Sequence, residues 1–266
     1  MKEIHNIIQR YTKYYDIYPN GNSTFILLYL PYQPFKKFPK DHAVIDSYYL
    51  SSNKIYHLKV AIEKHLGSYN VIKPSIPYKN LFLESGIGIL LKNGLISIPP
   101  FGTRVVLEAI EINQPIEIDR NQNNRLYSKE QQDKEMANCE ACLRCIFSCP
   151  SKALSQSDFH FEKCIRFLMD DPYKNHETLV SLKANFLGCE ICQNVCPHNK
   201  DIEKIDVPNA LLKELNIEKL IENSEKGKTA LEPLASFIGQ NYNRPLRINK
   251  LAQIAKEIAC ENLKKS

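Results

Sequence analysis

Eight of the nine cysteines in this 266-residue chain concentrate between positions 139 and 196, in an arrangement suited to metal–sulfur chemistry. One run reads Cys139-x-x-Cys142-x-x-Cys145-x-x-x-Cys149-Pro150, a second reads Cys189-x-x-Cys192-x-x-x-Cys196-Pro197, and Cys164 lies between them. Three thiolates at three-residue spacing can cover one face of a cubic iron–sulfur core, while a fourth followed by proline serves the neighbouring core. The pattern predicts two 4Fe-4S clusters. By the same rule Cys139, Cys142 and Cys145 share one cluster with Cys196, and Cys189 and Cys192 share the other with Cys149 and Cys164. Zinc is the competing reading, because paired C-x-x-C units also build tetrahedral sulfur sites. It requires neither the third evenly spaced cysteine nor the repeated Cys-Pro. No secretory signal precedes the cysteines, so disulfides are not expected and a reducing cytoplasm is the expected location.

The rest of the chain must position these groups. Hydrophobic residues make up 43% and charged residues 24%, the balance of an ordinary water-soluble protein with more than one core. The longest apolar run, Phe25 to Leu30, is too short to cross a bilayer and reads as a buried strand, so no membrane partner is expected. A net charge of +5 and a pI of 8.6 permit a polyanionic partner but fall short of a dedicated nucleic-acid binder, and a solvated lysine-rich surface accounts for them equally well. After a polar amphipathic opening and this strand, prolines 31 and 34 force a turn. Ile55, Leu58, Ile62 and Leu66 recur at helical spacing before Gly67, where a helix C-cap belongs. Val71-Ile72 and Val105 to Ile112 read as strands, with a helical segment near Leu81 to Leu83 between them. Asn113 to Asn138 is polar and reads as a connector. Ile248, Leu251, Ile254, Ile258 and Leu263 mark an apolar stripe on a C-terminal helix. The expected class is α+β, with three consecutive parts: an α/β domain with its connector over 1–130, a ferredoxin-like double-cluster domain over 131–200 and a helical segment over 201–266.

Taken with Phe161 to Arg166 and Leu187 to Asn199, the cysteine layout resembles the epoxyqueuosine reductase family, a group related to the reductive dehalogenases. The likeness continues through Glu84 to Leu95 and Pro100 to Arg104, through Tyr48-Tyr49 and Tyr56-His57, and through Ile238 to Arg244. It implies a nitroreductase-like N-terminal domain that binds cobalamin, joined to the double-cluster domain. On this resemblance Gly86, Gly88, Lys92, Asn93 and Arg104 are the expected corrinoid contacts. An external donor of ferredoxin or flavodoxin type would supply the electrons, and epoxyqueuosine in tRNA is the substrate of the family. The family's proton-donating aspartate would fall near Lys73 to Pro77, where no carboxylate stands, and no catalytic residue is assigned. Ile55, Ile89, Leu91 and His198 are further departures, and the helical-repeat tail of longer members is lacking.

Bland readings stand beside these. Glycines 86, 88 and 94 complete no dinucleotide fingerprint and serve equally as turn residues. Cys260 reads as a small buried hydrophobe. His160, His176 and His198 read as surface or supporting residues, because no thiolate is missing from the two sets. Tyr56-His57 reads as packing and capping at the opening of a helix, and Lys36, Lys37 and Lys40 as a solvated loop. Three functions follow: a corrinoid-dependent reductase, an electron carrier without a corrinoid, and a reductive activator of a partner corrinoid protein without tRNA activity.

Overall fold

The computed structural model describes residues 2–116 and 126–264; the Asp119 to Arg125 part of the expected connector lies outside them. Contacts group the chain into two units, Met1–Tyr32 with Ser51–Cys142 and Gln33–Leu50 with Leu143–Ser266.

In the first unit, helix α1 (Lys2–Gln9) buries Ile4 and Ile8, and strands β1 (Tyr15–Asn20) and β2 (Ser23–Pro31) form a hairpin. The hairpin closes over Gly21-Asn22, and Gly21, at φ +61°, supplies the left-handed residue that opens such a two-residue connection. Helix α2 (Tyr48–His65) is followed by β3 (Val71–Ile72), α3 (Tyr78–Glu84), the short hairpin of β4 (Ile89–Leu90) and β5 (Ile96–Ser97), and β6 (Val105–Ile112). The main sheet has the order β1-β2-β6-β3, and every neighbour is antiparallel. The N-terminal domain is therefore not of the α/β type expected from the strand and helix alternation, because its connections return the chain antiparallel. Phe25 and Leu27 of β2 with Val105 and Ala109 of β6 present one face of the sheet, which packs on Leu81 and Phe82 of α3 and on Ile87, Ile96 and Ile98. Alternation turns Ile26, Leu28 and Ile110 to the opposite face, and these too are fully buried. A sheet buried on both faces explains the unbroken apolar run in β2.

Helix α4 (Lys129–Cys142) occupies the latter part of the expected connector. It lacks an apolar stripe, but a capping box starts it: Gln131 Oε1 accepts the Ser128 amide at 2.7 Å and Ser128 Oγ accepts the Gln131 amide at 3.2 Å. The buried Gln132 side chain then donates to the carbonyls of Leu83 and Gly88, at 3.1 and 3.2 Å, tying α4 to the β4 segment.

The second unit is mostly helical: α5 (Arg144–Ser148), α6 (Ile165–Leu168), α7 (His176–Ser181), α8 (Ile191–Asn194), α9 (Asn209–Leu212), α10 (Ile217–Lys226), α11 (Glu232–Ile238) and α12 (Pro245–Lys264). Its core gathers Leu179 of α7, Leu220 of α10, Leu234 of α11 and Ile248, Leu251 and Ile254 of α12 around Phe35, Ile45, Met169 and Phe186. Residues 33–50 enter this core through short bridges, Ile45 parallel to Leu187 and Phe35 parallel to Ile205. Cys260 is exposed rather than buried, since it lies six residues, about 240° around the helix, beyond Ile254. Among the described residues no helix is long and apolar enough to cross a membrane.

Leu27 is fully enclosed between β6 and α3. Leu27→Ala is expected to lower the unfolding free energy of the full chain by about 2–5 kcal/mol, read by chemical denaturation; a loss below about 1 kcal/mol would contradict this packing.

Candidate iron–sulfur centre

Local backbone chemistry sets the direction of the cysteines. The residue before proline is held extended by the pyrrolidine ring, and Cys149 (ψ 109°) and Cys196 (ψ 125°) each leave their helical turn in this way. The two turns repeat each other: the Cys149 amide donates to the Ile146 carbonyl at 3.3 Å, and the Cys196 amide to the Gln193 carbonyl at 3.2 Å. Cys164, ahead of α6, has the same extended conformation with ψ 128°. Leu143, which opens α5, takes a left-handed conformation at φ 51°, uncommon for a residue with a side chain.

The second unit brings Cys149, Cys164, Cys189 and Cys192 into one electrostatic neighbourhood. Burial pushes the Cys189 thiol up to about 11, against the opposing Ile191 amide, and Cys164 and Cys149 add to the rise. Burial likewise pushes Cys192 up to about 12, with Cys189, Cys164, Cys145 and Cys149 adding to it. The neighbourhood holds the four thiols that the crossed spacing rule assigns to one cluster together with Cys145, which that rule assigns to the other. None of the nine cysteines is in a disulfide. Among the described residues no three His, Cys, Asp or Glu side chains come close enough to grip a single metal ion.

Cys139 and Cys142 lie on α4 in the first unit, where the backbone amide of Lys92 donates to Cys139 Sγ at 3.3 Å. An amide–sulfur bond of this kind favours the charged thiolate and is one of the levers on cluster potential. Lys92 Nζ stands 3.9 Å from Glu140. The glycine-rich segment therefore meets the cysteine run directly.

The other expected corrinoid contacts are largely engaged in the fold. A Cβ on Gly88 would sit 2.5 Å from Ile96 Cγ2, so this glycine is needed for the β4-β5 hairpin to close. Gly86 (φ +81°) offers its carbonyl to the amides of Leu126 and Tyr127 at 3.1 and 2.9 Å. Arg104 is buried, its guanidinium 5.8 Å from the Tyr32 ring centre. Asn93 differs: its Oδ1 accepts from Leu95, but the buried Nδ2 has no partner among the described residues. Tyr56 and His57 are exposed in the middle of α2 and do not open it. His160 and His176 pair with Glu162 at 3.7 Å and Glu257 at 3.1 Å, and Lys36 with Asp206 at 3.1 Å.

A carboxylate that sequence reasoning missed reaches the Lys73 to Pro77 segment from β6. Glu111 is buried; its Oε2 accepts the Ser75 amide and hydroxyl at 2.7 and 2.8 Å, and its Oε1 accepts the Ser23 hydroxyl at 2.7 Å. Burial works to raise its pKa, but these hydrogen bonds outweigh it and hold the carboxyl below its ordinary value. Glu111 is thus an anionic clamp on this loop rather than a proton donor. A glutamate inside an apolar strand was the available signal.

Residues 138–199 match the family model described as a 4Fe-4S double cluster binding domain. Curated epoxyqueuosine reductases align with the same chain. That of Lactococcus garvieae is 27% identical over 168 residues, 59% of this chain and 43% of the relative. That of Bacillus cereus is 33% identical over 122 residues, 45% of this chain and 29% of the relative. The chain is similar to the epoxyqueuosine reductases. Its match spans less than half the length of these relatives. The fold agrees: an epoxyqueuosine reductase from Streptococcus thermophilus superposes with a TM-score of 0.60 at 22% identity, over 88% of this chain and 64% of that one. Another solved epoxyqueuosine reductase, held with an epoxyqueuosine-modified tRNA-Tyr stem loop, gives 0.61 at 19% identity over the same shares. The double-cluster match decides between iron–sulfur and zinc, because it describes the same cysteine segment.

The lowered pKa of Glu111 fixes a sign. Its stabilising contribution is present above its unfolded value near 4.5 and is lost as pH falls through the folded value. Glu111→Gln is expected to cost about 1–3 kcal/mol at neutral pH and to flatten the acid limb of stability against pH, measured by denaturant unfolding between pH 3 and pH 7 (roughly the range that spans this titration). An unchanged acid limb would show that the clamp carries no charge.

Proposed function

We propose that this chain is an iron–sulfur reductase of the epoxyqueuosine reductase type, passing electrons through two 4Fe-4S clusters toward a corrinoid that reduces epoxyqueuosine in tRNA. The gathering of Cys149, Cys164, Cys189 and Cys192 in one partly buried neighbourhood, within a segment matching the double-cluster domain, carries the reading. These four hold one cluster. Cys139, Cys142, Cys145 and Cys196 hold the other, as their spacing indicates. When bound, the clusters take up and hand on single electrons at low potential, and the corrinoid is the reducing centre that meets the substrate.

The chain's own residues have three tasks in this scheme. On binding iron the thiols would release their protons to solvent, which would overcome the burial that keeps Cys189 and Cys192 protonated. The Lys92 amide steadies charge on Cys139. The unpartnered Nδ2 of Asn93 is a buried donor that fits an amide or phosphate of a corrinoid. Gly86, Gly88, Lys92 and Arg104 shape that wall through the fold. The relative solved with a modified tRNA stem loop supports tRNA as the partner. The relatives and solved structures named above are epoxyqueuosine reductases, which favours this reading over the electron-carrier and reductive-activator alternatives. An external donor of ferredoxin or flavodoxin type and a cytoplasmic setting complete the reading.

Anaerobic reconstitution of the full chain should load about eight iron and eight sulfide per chain, and Cys164→Ser about half of each. Zinc without acid-labile sulfide would overturn the assignment. Titration of the loaded protein with cobalamin should perturb the visible and paramagnetic spectra of cobalt; no change would leave an electron carrier. In a host without a second such enzyme, deleting the gene should leave epoxyqueuosine in tRNA, and normal queuosine would exclude this substrate.

A further inference from the structure

Tyr49 carries a hydroxyl that the polypeptide does not use. It is fully buried near the start of α2, and its hydroxyl has no hydrogen-bond partner among the described residues. A buried donor left unpaired destabilises the fold, a cost that phenylalanine would avoid. The ring itself is tightly placed. Tyr242 meets it edge-on with centroids 4.9 Å apart, and the Arg166 guanidinium stands 5.4 Å from its centre.

Two neighbours of this ring flank cluster ligands. Arg166 is two residues beyond Cys164. Gly188 immediately precedes Cys189, and a Cβ built there would lie 3.2 Å from Tyr49 Cε2, the ring carbon next to the one that bears the hydroxyl. The same Cβ would overlap Asp46 Cβ at 2.4 Å, and Gly188 has φ +95°, so glycine here permits the close approach of both side chains. The ring edge next to the unpaired hydroxyl is thus turned toward the backbone of Gly188, which leads directly into Cys189.

We infer that the Tyr49 hydroxyl donates a hydrogen bond to a sulfur of the cluster held by Cys149, Cys164, Cys189 and Cys192, and so raises its reduction potential. This rests on the ligand set proposed above. Cluster sulfurs are acceptors, and hydrogen bonds to them are among the factors that set potential. One-electron reduction by an external donor adds negative charge to the core, so the bond strengthens in the reduced state and favours it. Tyr49 acts through the cluster and is a tuning residue, with no role at a substrate.

The test is a potentiometric titration of the full, reconstituted chain, followed by electron paramagnetic resonance. Tyr49→Phe should load the same iron and sulfide as the unaltered protein. One of the two cluster signals should move to more negative potential, with the reduced-to-oxidised ratio at fixed potential falling about tenfold, or about 59 mV for one electron. Full loading with both potentials unchanged would overturn the inference. Should Tyr49→Phe fail to load, 3-fluorotyrosine at position 49, a stronger donor of nearly the same shape, must move that signal to more positive potential; no movement overturns it equally. Failure of the ligand set itself would look different, with the unaltered chain taking up no iron and sulfide.

Discussion

Charge is costly where Cys189 and Cys192 sit, and the second unit is organised around that constraint. Burial and mutual repulsion drive Cys189 and Cys192 far above the ordinary thiol range. Without iron these two thiols stay protonated; iron bound there would displace their protons and meet the cost of the charge. The polypeptide supports this with short turns whose direction is set by local sterics. Proline straightens Cys149 and Cys196, while the glycine at 188 lets Asp46 and Tyr49 approach the chain beside Cys189. The long-range part is the seating of residues 33–50 among the helices, through the Ile45–Leu187 bridge and the Phe35 and Ile45 contributions to the core.

The first unit meets a different demand. Its antiparallel sheet is buried on both faces, so polar groups inside it must be paired. Glu111 shows how: a carboxylate in the interior of β6 is tolerated because Ser23 and Ser75 satisfy it, and its charge fastens the Lys73 to Pro77 loop. The glycine-rich segment is likewise governed by packing, with Gly88 admitting Ile96 and Lys92 presenting its amide to Cys139. Residues marked by the family likeness as cofactor contacts thus serve the packing of this segment, and the Asn93 amide keeps a buried donor with no partner among the described residues.

Several elements could be read locally and others could not. The β2 and β6 strands, α3 and the stripe of α12 declare themselves through apolar runs or helical spacing. Strand β1 is obscured by its polar residues, and only the Gly21-Asn22 pair that closes its hairpin marks it locally. Helix α4 has no apolar stripe, so only its capping box, Ser128 to Gln131, could have revealed it inside a polar stretch. Cys260 is exposed because its angular position on α12 leaves the stripe, which a judgement from residue type alone does not weigh.

What the amino-acid sequence determined by itself is the iron–sulfur chemistry: the count of thiols, their three-residue spacing and the two Cys-Pro pairs encode ligand direction over distances of a few bonds, where local sterics dominate. Tertiary structure alone decided the antiparallel sheet, the entry of residues 33–50 into the second unit, the Glu111 clamp and the surroundings of Tyr49. Each of these joins residues tens of positions or more apart, and such pairings depend on which surfaces meet once the cores have formed. A strand's neighbours, a carboxylate's donors and a hydroxyl's lack of one are properties of that packing, which no short stretch of the chain contains.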